Sequence, residues 1–556
     1  MISPPVITKS TICCLLLLLA VFGRELRAEP SVDHFFPAGG QVGQDVDLLV
    51  GGTFPTWPIK AWSNQPGIEI NALPKDEDKT HRLSIKISPD ADPNIYWLRL
   101  FDETGSSTPA PFVVGHLPES NEVEPNNRLQ QATPIPANID QSTYSIVFNG
   151  QLKEAGDVDI FTIPAKQGQT LIADMDAHHP LGSSVDAVMQ ILSPQGFVVA
   201  QNDDQRSLDP RLAFDVPHDG LWYVRVFGFP ATPTSRIQFA GEAGYVYRLT
   251  LSTAGTVDYA MPLAVQTEGQ TKVKLFGWNL GPSQRQLTVA PNPTGYDVRL
   301  QPAGIAGTIR LPFVPHPVII EHEPKSDSMV VDPPSTITGR IDTAGDKDSY
   351  SIDLKEGDAF IAKMESRSLG YPLDPVLVLL ASDGKELSRV DDTAGKRDAT
   401  LEYQCKQTER VRLVVQDLHK RGGEEFVYRL TLQSNKSDFE LSVGQHQVIL
   451  AADGSVEIPV TVSRQGGFQE PIEIVAEGLP AGITANPSES QPDGDSAKSV
   501  KLKMQATADV KQQSLPIRIR GRAKRTPTKY ARIAAPTPSK PIYDLWLTVT
   551  PQPATD

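Results

Sequence analysis

Short runs in which apolar and polar residues alternate recur along most of the chain, separated by Gly, Pro, Asn and Asp. The run at 220–226 is a clear example, because Trp222, Val224 and Val226 would share one face of an extended strand. Such runs, bounded by turn-forming residues, are typical of antiparallel sheets. The pattern predicts an all-β chain of tandem antiparallel β-sandwich domains, immunoglobulin-like or jelly-roll-like.

The chain contains an internal repeat, in which two segments carry the same motifs in the same order. Each copy has a Gly-Asp-x-Asp motif, then an apolar run that begins at an Asp and leads into a glycine turn. Both copies end on Tyr-Arg-Leu-Thr-Leu. Internal similarity of this kind indicates one structural module present twice. The matching pairs are 156–163 and 345–352, 186–192 and 374–380, and 247–251 and 428–432.

The first copy carries four motifs in a recognisable combination, namely Glu-Val-Glu-Pro-Asn-Asn at 122–127, the Gly-Asp-Val-Asp-Ile-Phe run at 156–161, Asp203-Asp204, and the strand at 220–226. Together they resemble the bacterial pre-peptidase C-terminal (PPC) domain. The resemblance covers 118–253 and, less tightly, 319–434. Such domains are accessory β-sandwiches appended to secreted peptidases and surface proteins, and clostridial collagen-binding domains are similar to them. The resemblance therefore implies an accessory or binding role for both copies.

The segments around the two copies are also predicted to form β-domains. The glycine-rich start at 36–43 resembles the opening of an immunoglobulin-like IPT/TIG domain, and 255–316 repeats that theme more faintly. The spacing of glycines within 466–483 is similar to bacterial Ig-like domains. The predicted organisation is a signal peptide (1–28), an IPT/TIG-like sandwich (29–117), a first PPC-like sandwich (118–254), a small IPT-like domain (255–316), a second PPC-like sandwich (317–436), a bacterial Ig-like sandwich (437–532) and a Pro- and Thr-rich tail or final strand (533–556).

The N-terminal segment predicts export. Its apolar core at 13–22 is shorter than the roughly 20 residues of a membrane-spanning helix, and it is followed by Leu26-Arg27-Ala28. This is the pattern of a secretory signal peptide cleaved after Ala28. We expect no transmembrane segment, and a secreted or a cell-surface or periplasmic location. After cleavage Cys405 is the remaining cysteine, so stability must come from apolar cores or metal ions and not from an internal disulfide.

Composition narrows the range of partners. The chain of 556 residues has 67 Asp and Glu against 52 Lys and Arg, a net charge of −15. An acidic surface repels phosphate backbones, so we expect no nucleic acid as a partner. With 48 Pro and 7 Met, the chain also lacks the composition of a helical bundle.

The strongest chemical signal is a group of carboxylate and amide side chains at the start of the first copy. Ca²⁺ prefers six to eight hard oxygen ligands, which Asp, Glu and Asn supply. The resemblance to collagen-binding domains implies that the equivalent positions here are calcium ligands. An acidic linker beside a solvated turn is the alternative interpretation. The predicted ligands are Glu122, Glu124, Asn126, Asn127, Asp157 and Asp159.

The second copy departs from this pattern. Lys325 and Ser326 stand where the first copy has Asn126 and Asn127. A lysine ammonium would place positive charge where the cation is expected, so a metal is less expected there. Whether this copy binds metal stays open at this point.

The sequence contains no Gly-x-Ser-x-Gly motif, no phosphate-binding loop and no zinc-binding His-Glu-x-x-His motif. The predicted modules also leave no long span for a catalytic domain. We therefore expect a non-enzymatic, exported protein that binds an extracellular polysaccharide or a surface protein, with calcium ordering a linker. The alternatives are a peptidase-associated accessory protein and a purely structural envelope component. Exposed tryptophan rings could stack on sugars or protein ligands, although we expect most of the five candidates in cores: Trp57, Trp62, Trp97, Trp222 and Trp278.

Overall fold

The computed structural model describes residues 29–75, 80–205, 208–229, 239–292, 297–300, 302, 304–322, 328–393, 398–434, 438–524, 526, 528–534 and 542–552. The predicted signal peptide (1–28) and Lys325 and Ser326 lie outside these residues. Across the described ranges the regular structure is β-strand, with single-turn 3₁₀ helices as connections. The predicted fold class, all-β with tandem antiparallel sandwiches, is confirmed. The 3₁₀ turns are Leu129–Gln131, Pro282–Gln284, Arg367–Leu369 and Asp495–Ala497.

The first sandwich packs two four-stranded sheets, β1-β3-β6-β5 and β2-β8-β7-β4, around a core that includes Phe35, Ile85 and Phe112. Its alternation of apolar and polar residues is clearest in β6, where Leu83, Ile85 and Ile87 point inward. Its strands are β1 (Ser31–Phe36), β2 (Gly39–Gln41), β3 (Asp45–Thr53), β4 (Lys60–Ser63), β5 (Ile68–Ala72), β6 (Arg82–Ile87), β7 (Ile95–Phe101) and β8 (Ala110–Gly115).

The next sandwich, called here the first repeated sandwich, pairs the sheet β15-β12-β17-β10-β9 with the sheet β11-β16-β13-β14. Trp222, Val224 and Val226 lie in its core, as the alternation in the sequence predicts. Its strands are β9 (Glu119–Asn121), β10 (Ser145–Gln151), β11 (Asp159–Ala165), β12 (Thr170–Asp176), β13 (Asp186–Leu192), β14 (Val198–Asn202), β15 (Arg211–Asp215), β16 (Gly220–Phe229) and β17 (Val246–Ser252).

A smaller unit follows, with two three-stranded sheets, β18-β20-β21 and β19-β23-β22, around a core that includes Val273, Leu275 and Leu311. Its core is the least populated of the five because its strands are short and few. Its strands are β18 (Thr256–Met261), β19 (Val265–Gln266), β20 (Thr271–Trp278), β21 (Gln286–Val289), β22 (Asp297–Leu300) and β23 (Ile309–Val314).

The second repeated sandwich has the sheets β24-β26-β33-β28-β31 and β25-β27-β32-β29-β30. The order of its first sheet matches that of the first repeated sandwich strand for strand, so the internal sequence repeat is a repeat of topology. Cys405 is buried in its core. Its strands are β24 (Val318–Ile320), β25 (Met329–Val330), β26 (Ser335–Arg340), β27 (Asp348–Leu354), β28 (Ala359–Glu365), β29 (Pro375–Leu380), β30 (Glu386–Val390), β31 (Thr400–Gln404), β32 (Glu409–Asp417) and β33 (Val427–Ser434).

The last sandwich has the sheets β38-β40-β36-β34-β43 and β35-β44-β41-β37-β39. Its final strand lies within the segment predicted as a tail or last strand, and it pairs with both β35 and β41. The predicted limits of the modules stay predictions. The strands are β34 (Asp438–Val443), β35 (Gln447–Ala451), β36 (Ser455–Gln465), β37 (Ile472–Glu477), β38 (Ile483–Ala485), β39 (Ser488–Ser490), β40 (Ser499–Ala506), β41 (Gln513–Arg522), β42 (Lys529–Tyr530), β43 (Arg532–Ile533) and β44 (Leu545–Thr550).

The junction between the first sandwich and the first repeated sandwich is packed. Ala38 and Val113 of the former share an apolar cluster with Leu181 and Val246 of the latter. The two sandwiches that the segment connects are therefore in contact, so the conformation of this segment can affect how they are held together.

Candidate metal centre

The acidic segment at 122–127 lies beside the Gly156 loop because β9 aligns it there. β9 pairs in parallel with β10, with Ser120 opposite Phe148. The chain continues along β10, where the Glu122 amide donates to the Asn149 carbonyl at 3.0 Å. The Val158 amide then donates to Asn127 Oδ1 at 3.1 Å. These contacts bring the two predicted halves of the site together.

Three carboxylates of the predicted set converge at this point. One oxygen each of Glu122, Glu124 and Asp159 lie within 4.8 Å of one another, and this is the one such group of three or more metal-binding side chains found in the described part of the chain. Asp159 is fully buried and accepts a hydrogen bond from the Tyr247 hydroxyl at 2.5 Å. Glu122 Oε1 accepts from the Gln151 amide at 2.8 Å.

The second oxygens of the two most buried carboxylates have no such donor. Glu122 Oε2 and Asp159 Oδ1 are buried and have no hydrogen-bond partner among the described residues. The same holds for both side-chain polar atoms of Asn126, which is fully buried. Buried polar atoms are almost always paired, so several unpaired buried oxygens at one place need a proton or a cation to satisfy them.

The other two predicted ligands hold the loop in place. Asp157 accepts from the Lys153 amide at 2.7 Å and from the Val158 amide at 3.0 Å. Asn127 accepts from the same Val158 amide. In this geometry Glu122, Glu124 and Asp159 bring carboxylate oxygens together, and the Asn126 backbone amide donates to Glu124 Oε2 at 2.9 Å, while Asp157 and Asn127 position the backbone of the loop.

The electrostatics of the cluster favour a cation. Burial raises the pKa of Asp159, against the opposing effect of the Tyr247 hydroxyl, and neighbouring Asp157 raises it further. Burial likewise raises the pKa of Glu122, together with the nearby Asp159. Carboxylates this close and this buried need either a shared proton or a positive charge between them. A donor set made only of oxygens fits a hard divalent cation such as Ca²⁺.

The second repeated sandwich preserves the frame of this site. The Arg340 amide donates to Glu321 Oε2 at 3.0 Å, as the Gln151 amide does to Glu122. The Tyr428 hydroxyl donates to Asp348 at 2.5 Å, in the place of Tyr247 and Asp159. Residues 323–327, which correspond to the Glu124 end of the segment, lie outside the described residues.

One buried carboxylate elsewhere in the first repeated sandwich was not predicted. Asp209 accepts the amide hydrogens of Ala177, His178 and His179, at 2.7–3.2 Å. Asp398 does the same for three consecutive amides in the second repeated sandwich, beginning at Ser366. The sequence signal that was available is an aspartate shortly before β15 and another before β31. These aspartates fix a loop in both copies.

The tryptophans considered as stacking platforms divide into two groups. Trp97 and Trp222 are 1% exposed, so they are core residues and present no ring face to a ligand. Trp57, Trp62 and Trp278 are partly exposed. The expectation that most of these tryptophans are core residues is therefore confirmed for the first two, and stacking on a ligand is excluded for them.

No protein-family model matches the chain. A segment of 103 residues is 30% identical to a probable subtilase-type serine protease of Deinococcus radiodurans, but it spans only 18% of this chain and 14% of that protease. The described residues include no helix long and apolar enough to cross a membrane.

Three solved structures show likenesses. One is the pre-peptidase C-terminal domain of a Bacillus anthracis collagenase, with 13% identity, a TM-score of 0.17, and coverage of 20% of this chain and 100% of that domain. The periplasmic g-type lysozyme inhibitor PliG of Aeromonas hydrophila has 19% identity, a TM-score of 0.16, and coverage of 24% and 98%. The SGBP-B protein of Bacteroides ovatus, solved with a mixed-linkage heptasaccharide, has 9% identity, a TM-score of 0.14, and coverage of 71% and 73%. At these scores the likenesses carry no argument about function.

Proposed function

We propose that this chain is an exported, non-catalytic modular protein that binds an extracellular polymer or a surface protein, and that calcium orders the segment entering its first repeated sandwich. The observation that carries the calcium proposal is the convergence of Glu122, Glu124 and Asp159, with buried oxygens left unpaired. The PPC-like motifs in the sequence support the accessory or binding role.

The protein fixes both ends of the connecting segment, and the ion would hold the part between them. Just before the site, Glu119 forms a buried ion pair with Arg248 at 2.6 Å, which fixes one end of the connecting segment. The other end has Asn126 buried and Asn127 bonded to the Gly156 loop. Between these ends the three carboxylates repel one another unless a proton or a cation neutralises part of their charge, and calcium would do so without requiring protonation. We infer a mechanical role, in which calcium stiffens the junction between two sandwiches.

A second candidate is an accessory partner of a peptidase. The segment shared with the probable subtilase-type protease favours this candidate. Because that segment is 14% of the protease, it assigns no catalytic activity to this chain. Specific capture of a secreted peptidase, without turnover of casein by the chain itself, would support the accessory role over polymer binding.

Calorimetric titration of calcium into residues 29–556 tests the site. We expect saturable binding that is lost or strongly weakened in Glu122→Gln, which keeps the shape but removes the charge. Glu154→Gln is the matched control, because Glu154 is an exposed carboxylate of the same loop. Equal heats in wild type and Glu122→Gln would mean that the acidic-linker interpretation is correct.

A further inference from the structure

The outer face of the sheet β11-β16-β13-β14 carries a groove that neither the fold nor the metal site requires. Trp222, Val224 and Val226 of β16 point into the core, so Arg225, Phe227 and Phe229 face outward. With Phe239, Gln190 and Gln201, these three residues line a groove of about 450 Å³. This volume lies within the usual range for ligand-binding clefts.

Three aromatic rings form one wall of the groove. The ring of Phe239 lies 4.4 Å from that of Phe227 and 6.0 Å from that of Phe229, centroid to centroid. Phe229 is 46% exposed at the end of β16, beside the two other rings. Phe227 itself is buried, so Phe229 and the partly exposed Phe239 are the rings of this cluster that solvent reaches.

The polar wall of the groove consists of side chains in a fixed order, and it begins at Arg225, whose guanidinium lies 5.9 Å from the centre of the Phe227 ring. Arg225 Nε donates to Gln190 Oε1 at 2.9 Å, and Gln190 Nε2 donates to Gln201 Oε1 at 2.6 Å. Gln190 is buried, whereas Gln201 is exposed at the end of this chain of hydrogen bonds. The arrangement orients amide and guanidinium groups toward the groove without leaving them unpaired inside the protein.

The chemistry of the groove favours a neutral sugar over a peptide. Strands β16 and β13 are each paired on both sides, so their backbone groups are used within the sheet and cannot add a peptide strand. Recognition must therefore use side chains. An aromatic ring has a negative face that attracts the C–H hydrogens of a sugar ring, and amides pair with its hydroxyls. Among the described lining residues Arg225 is the one charged group, so the site does not select a polyanion.

The second repeated sandwich shows that the sandwich does not need this groove. By the register of β32 on β27, Gln416 and Leu418 occupy the positions of Phe227 and Phe229. Val378 and Val414 occupy those of Gln190 and Arg225, and they form a small apolar cluster. Both the aromatic wall and the polar wall are thus specific to the first repeated sandwich.

We propose that this groove binds a neutral polysaccharide through ring stacking on Phe229 and hydrogen bonds from Gln201 and Arg225. The inference rests on the proposed function, since it names the polymer class and the place where it binds. Asn127 lines the same groove and accepts from the Val158 amide, so the calcium-ordered segment also forms part of the groove wall.

The test titrates hexasaccharides of β-1,4-glucose, β-1,3-glucose and β-1,4-mannose, and separately gelatin, into residues 29–556 with calcium present. We expect saturable binding of at least one hexasaccharide, weakened about tenfold in Phe229→Ala, because a factor of ten corresponds to about 1.4 kcal/mol, within the range of an aromatic contact. Gln201→Ala should weaken it as well. Leu418→Ala is the matched control, since Leu418 is also 46% exposed at the equivalent position.

The outcomes separate the two proposals. If a hexasaccharide binds but Phe229→Ala and Leu418→Ala behave alike, the groove assignment is wrong and polymer binding stands. If only gelatin binds, and Phe229→Ala weakens it, the ligand is a protein and the sugar class is wrong. If neither class of probe binds the wild-type chain, both the groove and the polymer-binding function are overturned.

Discussion

The two repeated sandwiches share the order of strands in one sheet and a set of buried hydrogen bonds, but they differ in several side chains on and between their sheets. Both hold a glutamate at a backbone amide of the strand that follows, and both direct a tyrosine hydroxyl to a buried aspartate. Two of the differences lie at the aromatic groove and at the buried ion pairs that Arg211 forms with Asp174 and Asp258. Features common to both copies are thus needed by the module, whereas features of one copy are candidates for function.

The largest expected effect concerns a buried arginine that only the first repeated sandwich has. Arg211 is opposite Asp174 in the sheet, donates to it at 2.8 Å, and also pairs with Asp258 of β18. Arg211→Ala would remove the buried guanidinium that pairs with both carboxylates and cost about 3–5 kcal/mol. The equivalent register pair is Thr400 and Lys363, so Thr400→Ala should change stability by less than about 0.5 kcal/mol.

Hydrogen exchange of the amides in β12 and β28 measures the stability of each repeated sandwich separately. A similar loss of protection in both variants, each in its own sandwich, would remove the contrast between the two copies.

The second-largest expected effect is the increase in folding stability when calcium is added. An ion that binds only the folded state, present at about a hundred times its Kd, stabilises that state by about 2.7 kcal/mol. We expect this gain to disappear in Asp159→Asn and to survive largely in Asp348→Asn. Without calcium, Asp159→Asn should be at least as stable as wild type, because it removes a charge from a buried acidic cluster. Thermal melts with calcium or chelator measure both quantities.

If Asp348→Asn removed as much of the calcium response as Asp159→Asn, the second repeated sandwich would be an equal metal site despite its Lys325.

The smallest expected effect concerns the Tyr350 hydroxyl, which is present near Asp348 but has no counterpart near Asp159. Tyr350 lies 2.5 Å from the Tyr428 hydroxyl, at the position that Phe161 occupies in the first copy. Tyr350→Phe would remove one buried hydrogen bond and cost about 1 kcal/mol. Protection of the amides in β27 measures this loss. An unchanged protection would show that the hydroxyl contributes nothing to the second site.

The sequence predicts those features that depend on local pattern. Alternation predicts the inward face of β16, including Trp222, and the repeated motifs predict that two modules share one topology. The Glu122, Glu124 and Asp159 group was reached through a family resemblance, because spacing alone does not show that 122–127 folds back onto 156–159. The parallel pairing of β9 with β10 supplies that proximity.

Other features depend on contacts between distant strands. The Asp209 carboxylate accepts hydrogen bonds from three backbone amides that lie 30 to 32 residues earlier in the chain. The groove joins Phe239 to β16 and β13. Alternation would have placed Phe227 and Phe229 on one outward face with Arg225. Only the tertiary structure shows that Phe239 and Gln190 lie next to them.

The central claim is that a cation lies among the carboxylates of the first repeated sandwich, and anomalous scattering tests it most directly. Crystals of residues 29–556 grown with calcium and soaked in Tb³⁺ would be measured near the terbium absorption edge. The account predicts a peak in contact with oxygens of Glu122, Glu124 and Asp159, at roughly the 2.3–2.6 Å expected of calcium-type coordination. A map without a peak at these three side chains, in crystals that carry terbium elsewhere, would contradict it.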